Sequence, residues 1–340
     1  MTDRKKQIFS YSFAIIMLLG IGYLAGYIHT TQTTRDLISN IKPIRENNFN
    51  YKFIYPLLRY DFGNARSFLE DTVLESKLAN YISEQYRNKN AQSISVYFSD
   101  LSTNRWSGVN EDIQYHPGSM MKVLIMMAYY RESQLKPSIM EQYLTYDAAT
   151  NDAAHALEYA LVSNMTIGKS YTIKALVENM IENSDNGAET LLISHANQKI
   201  LNDIYHDLHI QVPTEVPDFT ISPRNYSAFI RILYNSTYLT EKNSEEALSI
   251  LSNTTFKSGI VAGIPSGTIA SQKYGERIDT DESGNITALE LHNCGIVYSP
   301  SPYQICIMTK GYVDATEEEL ASIIKDISTV VYQYTNSGKN

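Results

Sequence analysis

In the stretch QYHPGSMMKVLIMMAYY, residues 114–130, a serine and a lysine stand three positions apart at the head of an apolar run. A helix that is apolar on nearly every side is buried, and lysine is almost never fully buried without a partner. On a helix, Ser119 and Lys122 share a face, so their side chains can meet. Desolvation lowers the pKa of an amine, and a neutral amine can take the proton of a serine hydroxyl. The helix N-terminus also favours negative charge near Ser119. The pair therefore has the makings of an activated nucleophile. Taken alone, Ser119 after HPG reads equally as a helix N-cap.

Strands come first, helices follow, and strands with a helix close the chain. A helical pattern runs from about Glu70 to Tyr86, and SISVYFSD and RWSGV around LSTN read as a hairpin. From Ser119 to about residue 252 the pattern is helical, with breaks at Pro137, Gly168, VPTEVPD and SPRN. Strands are predicted at about 268–274, 289–298 and 303–310, and an amphipathic helix over 315–335. This order predicts an α+β fold. Its antiparallel sheet is built from the N- and C-terminal segments, with a helical domain inserted between them. A doubly wound parallel sheet would need strands alternating with helices throughout.

Several chemistries are excluded. IGKS at 167–170 has Ser163 where a phosphate-binding loop needs glycine, Gly259, Gly263 and Gly267 miss the dinucleotide pattern, and no GxSxG occurs. There is no CxxC or HExxH and no ligand-spaced histidine set, so neither a metal nor any other cofactor is expected. A net charge of −9 over 340 residues argues against nucleic acid. The two cysteines, Cys294 and Cys306, flank SPSP on neighbouring predicted strands. They read either as a disulfide or as two buried thiols.

Two further elements follow the serine and lysine in order: Ser184-Asp185-Asn186 at the start of a helix, and Lys273-Tyr274-Gly275 on a predicted strand. With S-x-x-K, these resemble the signature set of the penicillin-recognising serine enzymes, the class A β-lactamases and the penicillin-binding D,D-peptidases. The resemblance covers roughly residues 72–336. It implies that Ser119 is acylated by a β-lactam or peptide amide and that Lys122 accepts or relays its proton. Ser184 would pass a proton to the leaving nitrogen, Asn186 would hold the substrate's amide side chain, and Lys273 would supply positive charge. The backbone N–H groups of Ser119 and Glu276 would form the oxyanion hole, with Tyr274 and Gly275 lining the substrate site. Asp185 would hold the loop that presents its neighbours.

Two departures bear on activity. Class A enzymes carry an E-x-x-L-N loop whose glutamate activates the deacylating water. LHIQVPTEVPDFTISP lacks it, leaving Glu215 and Asp218 either as stand-ins or as plain loop carboxylates. Without that base an acyl-enzyme could form and then stall. Tyr274 replaces the usual threonine and could narrow the cleft, while Glu276 adds negative charge where an anionic substrate would lie. A cell-wall D,D-carboxypeptidase or transpeptidase fits the missing loop better than a β-lactamase does, and a sensor acylated once without turnover is the alternative of another class.

The N-terminus opens with Arg4, Lys5 and Lys6, followed by an uncharged span from Ile8 to Ile28. Twenty-one residues reach about 30 Å, the thickness of a hydrocarbon core, and the basic flank orients the rest outward. A cleaved signal peptide is the alternative reading. The expected organisation is a cytoplasmic stub and anchor over 1–30, a tether over 31–71, a monomeric catalytic domain over 72–336, and a tail over 337–340. Its partners would be a small molecule or peptidoglycan peptide, and the membrane through residues 8–28.

Overall fold

The computed structural model describes residues 17, 20–24, 26, 27, 41–45, 51–54, 57–62, 70–103, 105–155, 163–208, 210, 219–281 and 283–337. They fall in two compact units. In the first, β1 (Ile41–Arg45) pairs antiparallel with β2 (Leu57–Phe62). Residues 17, 20–24, 26 and 27 are helical, but most of the Ile8–Ile28 span lies outside the described residues. Among the described residues no helix is long and apolar enough to cross a membrane.

The second unit is built on a five-stranded antiparallel sheet. Its strands are β3 (Ser93–Asp100), β4 (Trp106–Val109), β7 (Ala270–Thr280), β8 (Ile286–Val297) and β9 (Tyr303–Lys310), in the order β4-β3-β9-β8-β7. First and last segments of the chain thus share one sheet, and the helical block sits between them in sequence. The class is α+β, as the order of elements predicts.

Alternation along the strands splits the core in two. Ile94, Val96, Phe98, Leu289, Leu291, Ile305 and Ile307 pack against α1 (Thr72–Arg87) and the last helix, α9 (Glu317–Asn336). Asp71 caps α1 by accepting from the Leu74 N–H at 3.2 Å, and Thr316 with Glu319 forms a capping box on α9. The opposite face carries Cys294, Ile296, Cys306 and Met308 and packs into the helical block. There α2 (Lys122–Ser133) is apolar all round and buried, with α4 (Ile173–Glu182), α5 (Asn186–His195), α7 (Pro223–Tyr234) and α8 (Glu241–Ser252) around it. Short helices α3 (Ala148–His155) and α6 (Gln198–Asp207) and the small ladder of β5 (Tyr143–Thr145) with β6 (Ser170–Thr172) complete the block.

Three local outcomes differ from, or settle, the sequence reading. Cys294 and Cys306 are direct cross-strand partners on β8 and β9 and are joined as a disulfide. Residues 51–54, expected within a tether, are held against α8: the N–H groups of Lys52, Phe53 and Ile54 all donate to the Glu245 carboxylate at 2.8, 2.9 and 3.1 Å, and Phe53 and Ile54 are buried. Strand β7 also runs six residues beyond the expected Tyr274, to Thr280.

Candidate active site

Pro117 and Gly118 bring the chain into a 3₁₀ turn, Gly118–Met121, that leads directly into α2. Gly118 has φ +52°, and a Cβ there would lie 2.5 Å from the Glu276 carbonyl oxygen and 3.0 Å from its amide nitrogen. Only glycine permits that backbone conformation and that approach. Gly275 meets the same turn from the strand side, where a Cβ would strike the Pro117 carbonyl and lie 3.0 Å from the Met120 nitrogen. The nucleophile turn and edge strand β7 therefore touch backbone to backbone. This close approach brings the Gly118–Ser119 backbone beside Glu276, the two residues whose amides the resemblance assigns to an oxyanion hole.

Ser119 lies within the 3₁₀ turn and is the N-cap of neither it nor α2; its Oγ lies 2.9 Å from Lys122 Nζ. The lysine is fully buried. Its Nζ donates to the Ser184 carbonyl at 2.7 Å and to Asn186 Oδ1 at 2.6 Å. Those two acceptors have no proton to give, so they claim two N–H bonds; of the other neighbours Ser119 Oγ is nearest, with Ser184 Oγ and Glu189 Oε2 each at 3.3 Å. Burial pushes the Lys122 pKa down, while Glu189 and Asp185 partly offset it. A neutral amine there has its lone pair free for the serine proton.

Ser184 sits at φ +56°, a strained conformation for a non-glycine residue and a feature that gathers at functional sites. Its Oγ accepts from Lys273 Nζ at 2.9 Å and lies 3.3 Å from Lys122 Nζ. Asp185 caps α5 through the Ala188 N–H at 2.8 Å and also binds the Ser163 hydroxyl at 3.0 Å and the Asn164 N–H at 2.9 Å. These bonds fix the turn that presents Ser184 and Asn186. Lys273 is fully buried, and its pKa is driven well down by burial and then by Lys122. Two amines and two hydroxyls thus form one connected chain: Ser119, Lys122, Ser184, Lys273.

The two unusual residues on β7 are Tyr274 and Glu276. Tyr274 stacks on Phe256 with centroids 4.3 Å apart and planes 14° from parallel, and Lys273 Nζ lies 4.3 Å from its ring centre. The hydroxyl interacts with Ser184. The ring therefore covers the Lys273–Ser184 end of the chain. Glu276, two residues on, shares the strand face of Tyr274, opposite Lys273. Burial and then Glu317 push its carboxyl pKa up, which weakens the negative charge expected against an anionic substrate. Replacing Tyr274 by threonine is expected to speed acylation by a penicillin about tenfold, a barrier change of about 1.4 kcal/mol. It should lower the melting temperature through loss of the stack. The labelling rate of the variant checks this, and an unchanged or slower rate would show that the ring does not restrict access.

Glu215 and Asp218 lie outside the described residues. One carboxylate escaped the sequence reading: Glu189 Oε2 stands 3.3 Å from Lys122 Nζ. Its signal was its spacing, three residues after Asn186 on the same face of α5. Among the described residues no cluster of three or more His, Cys, Asp or Glu could hold a metal ion.

No curated protein sequence matches the chain. Solved structures share its fold. A mutant of PBP-A in an acyl-enzyme complex with penicillin G superposes with a TM-score of 0.66 at 20% identity, over 80% of this chain and 99% of that one. A class A β-lactamase from Mycobacterium abscessus gives 0.64 at 18%, over 78% and 100%. One from Bacteroides cellulosilyticus gives 0.64 at 18%, over 78% and 99%. The model of the β-lactamase enzyme family matches residues 73–335, and so the chain belongs to that family, whose members are serine hydrolases.

Proposed function

We propose that this protein is an acyl-serine hydrolase held on the outer face of a membrane by residues 8–28, attacking a β-lactam or a peptide amide through Ser119. The observation that carries the reading is the position of Lys122 Nζ, 2.9 Å from Ser119 Oγ and 3.3 Å from Ser184 Oγ, with Lys273 on the far side of Ser184. Lys122 as the neutral amine takes the Ser119 proton while Oγ bonds to the carbonyl carbon. The charge that develops on the carbonyl oxygen meets the amides of Ser119 and Glu276. When the C–N bond breaks, the proton passes from Lys122 through the Ser184 hydroxyl to the leaving nitrogen. Asn186 and Lys273 orient the substrate's amide and carboxylate. The hydrophobic span behind Arg4, Lys5 and Lys6 supports the anchoring.

A second reading is favoured by the absence of E-x-x-L-N: a cell-wall D,D-carboxypeptidase or transpeptidase, for which a β-lactam is an inhibitor that leaves slowly. A fluorescent penicillin followed by nitrocefin separates the two. Labelling with turnover is expected of a β-lactamase, and labelling with little turnover of a peptidase. Labelling that persists in Ser119→Ala would remove the mechanism altogether.

A further inference from the structure

The reaction above leaves one step without a base. An ester on Ser119 needs a water deprotonated beside it, and the loop that supplies the glutamate for this in class A enzymes lacks its motif here. We infer that Glu189, on the first turn of α5, is the base that releases the acyl group, and that Lys122 holds it in place; this rests on the acyl-serine reading above.

Three observations support the assignment. Glu189 Oε2 is 3.3 Å from Lys122 Nζ, and Ser119 Oγ is 2.9 Å from the same nitrogen. Both oxygens therefore neighbour one nitrogen, which puts the Glu189 carboxylate beside the nucleophile. Second, the carboxylate is placed by a rigid element: Asp185 caps α5, and Asn186, one turn before Glu189, is bonded to the same Nζ at 2.6 Å. Third, the exposures differ. Lys122 is fully buried, whereas the Glu189 side chain keeps 24% of its surface, so water can reach it. Simple structural pairing would bury Glu189 with its partner or leave it at the surface; it does neither.

The step balances. Water gives a proton to the Glu189 carboxylate and its oxygen bonds to the ester carbon. Glu189 then passes that proton to the Lys122 amine, left neutral when acylation delivered its proton to the leaving nitrogen. The bond from the ester carbon to Ser119 Oγ breaks as Oγ takes the proton from Lys122, which restores the starting state. The charged groups that act on Glu189 are Lys122 from α2 and Lys273 from β7.

The test measures acylation and release separately, by intact mass after a pulse of penicillin G, on wild type and on Glu189→Gln and Glu189→Asp. Loss of a general base removes about 10²–10⁴-fold. Glu189→Gln is therefore expected to release its acyl group at least about 10²-fold more slowly while still becoming acylated. Glu189→Asp should recover part of the release rate with acylation unchanged, which a merely structural role would not produce. Release by Glu189→Gln at the wild-type rate overturns the inference, as does a defect confined to acylation. A wild type that never acylates fails the acyl-serine reading instead, and the inference falls with it.

Discussion

Replacing Lys122 by methionine is expected to slow acylation of Ser119 by about 10²–10⁴-fold, the range for loss of a positioned proton acceptor. Methionine fills a similar space without polar atoms, so the site keeps its packing. The Ser184 carbonyl and Asn186 Oδ1 would each lose a donor, at about 1–3 kcal/mol apiece where no water replaces it. Glu189 loses its partner but keeps access to solvent. The folded protein should survive with a lower melting temperature, and the loss of rate should far exceed the loss of stability. The pH dependence carries the sign. Burial lowers the Lys122 pKa despite the pull of Glu189 and Asp185, and the amine accepts a proton only once it has lost its own. Wild-type acylation should therefore rise with pH and level off above the lowered pKa, well before the usual lysine range. The variant's residual rate should lack that rise. Acylation within tenfold of wild type, or a rise that persists in the variant, would falsify the role given to Lys122.

Why that lysine was readable from sequence, and Glu189 was not, has a physical cause. Lys122 interrupts a helix whose remaining residues are apolar, so local composition alone announces a buried charge that needs a partner. Ser184-Asp185-Asn186 and Lys273 then supply that partner in the expected order. Glu189 sits among GAETLL, where a glutamate is an ordinary residue for a helix surface. Its meaning depends on Asn186 Oδ1 facing Lys122, a fact of packing between helices. The same distinction accounts for Phe53 and Ile54. Their backbone donors are taken up by Glu245, almost two hundred residues away, and no local pattern encodes that. Beyond the expected Tyr274, ERIDT carries a single apolar side chain, Ile278. These residues form the half-buried end of the edge strand, held by pairing with β8 and by Ile278 against the core. The cysteine pair lay between: strand order made it sterically available, and only the register, which sets Cys294 opposite Cys306, decided it.

Glu290 is expected to be the sheet's most consequential carboxylate, and its effect should reach the nucleophile. It is buried on β8 and pairs with Lys310 Nζ at 3.1 Å and His292 Nε2 at 3.3 Å, while its Oε2 accepts the backbone N–H of His116 at 3.0 Å. His292 Nε2 in turn lies 3.0 Å from the His116 carbonyl, and the Thr309 N–H points to its Nδ1 at 3.3 Å, which leaves Nε2 as the donor. Residue 116 is thus clamped on both backbone atoms three positions before Ser119. Burial opposes the charge on Glu290, but His292 and Lys310 more than offset it and hold the carboxyl at about 2. A folded pKa below the unfolded one stabilises the fold above the ordinary carboxylate range, and the contribution is lost as pH falls through about 2. At 1.36 kcal/mol per unit this is about 3 kcal/mol. Glu290→Gln keeps the shape and removes the charge, and Lys310 retains Asp279 as a partner. Denaturant unfolding at pH 7 should show the variant less stable by about that amount. The gap should narrow steadily from about pH 4.5 toward 2, as the wild type surrenders the same charge. Acylation should slow as well, since the turn carrying Ser119 loses half its clamp. Equal stabilities at pH 7, or a gap that stays constant in acid, would show that Glu290 serves as packing and not as a charge.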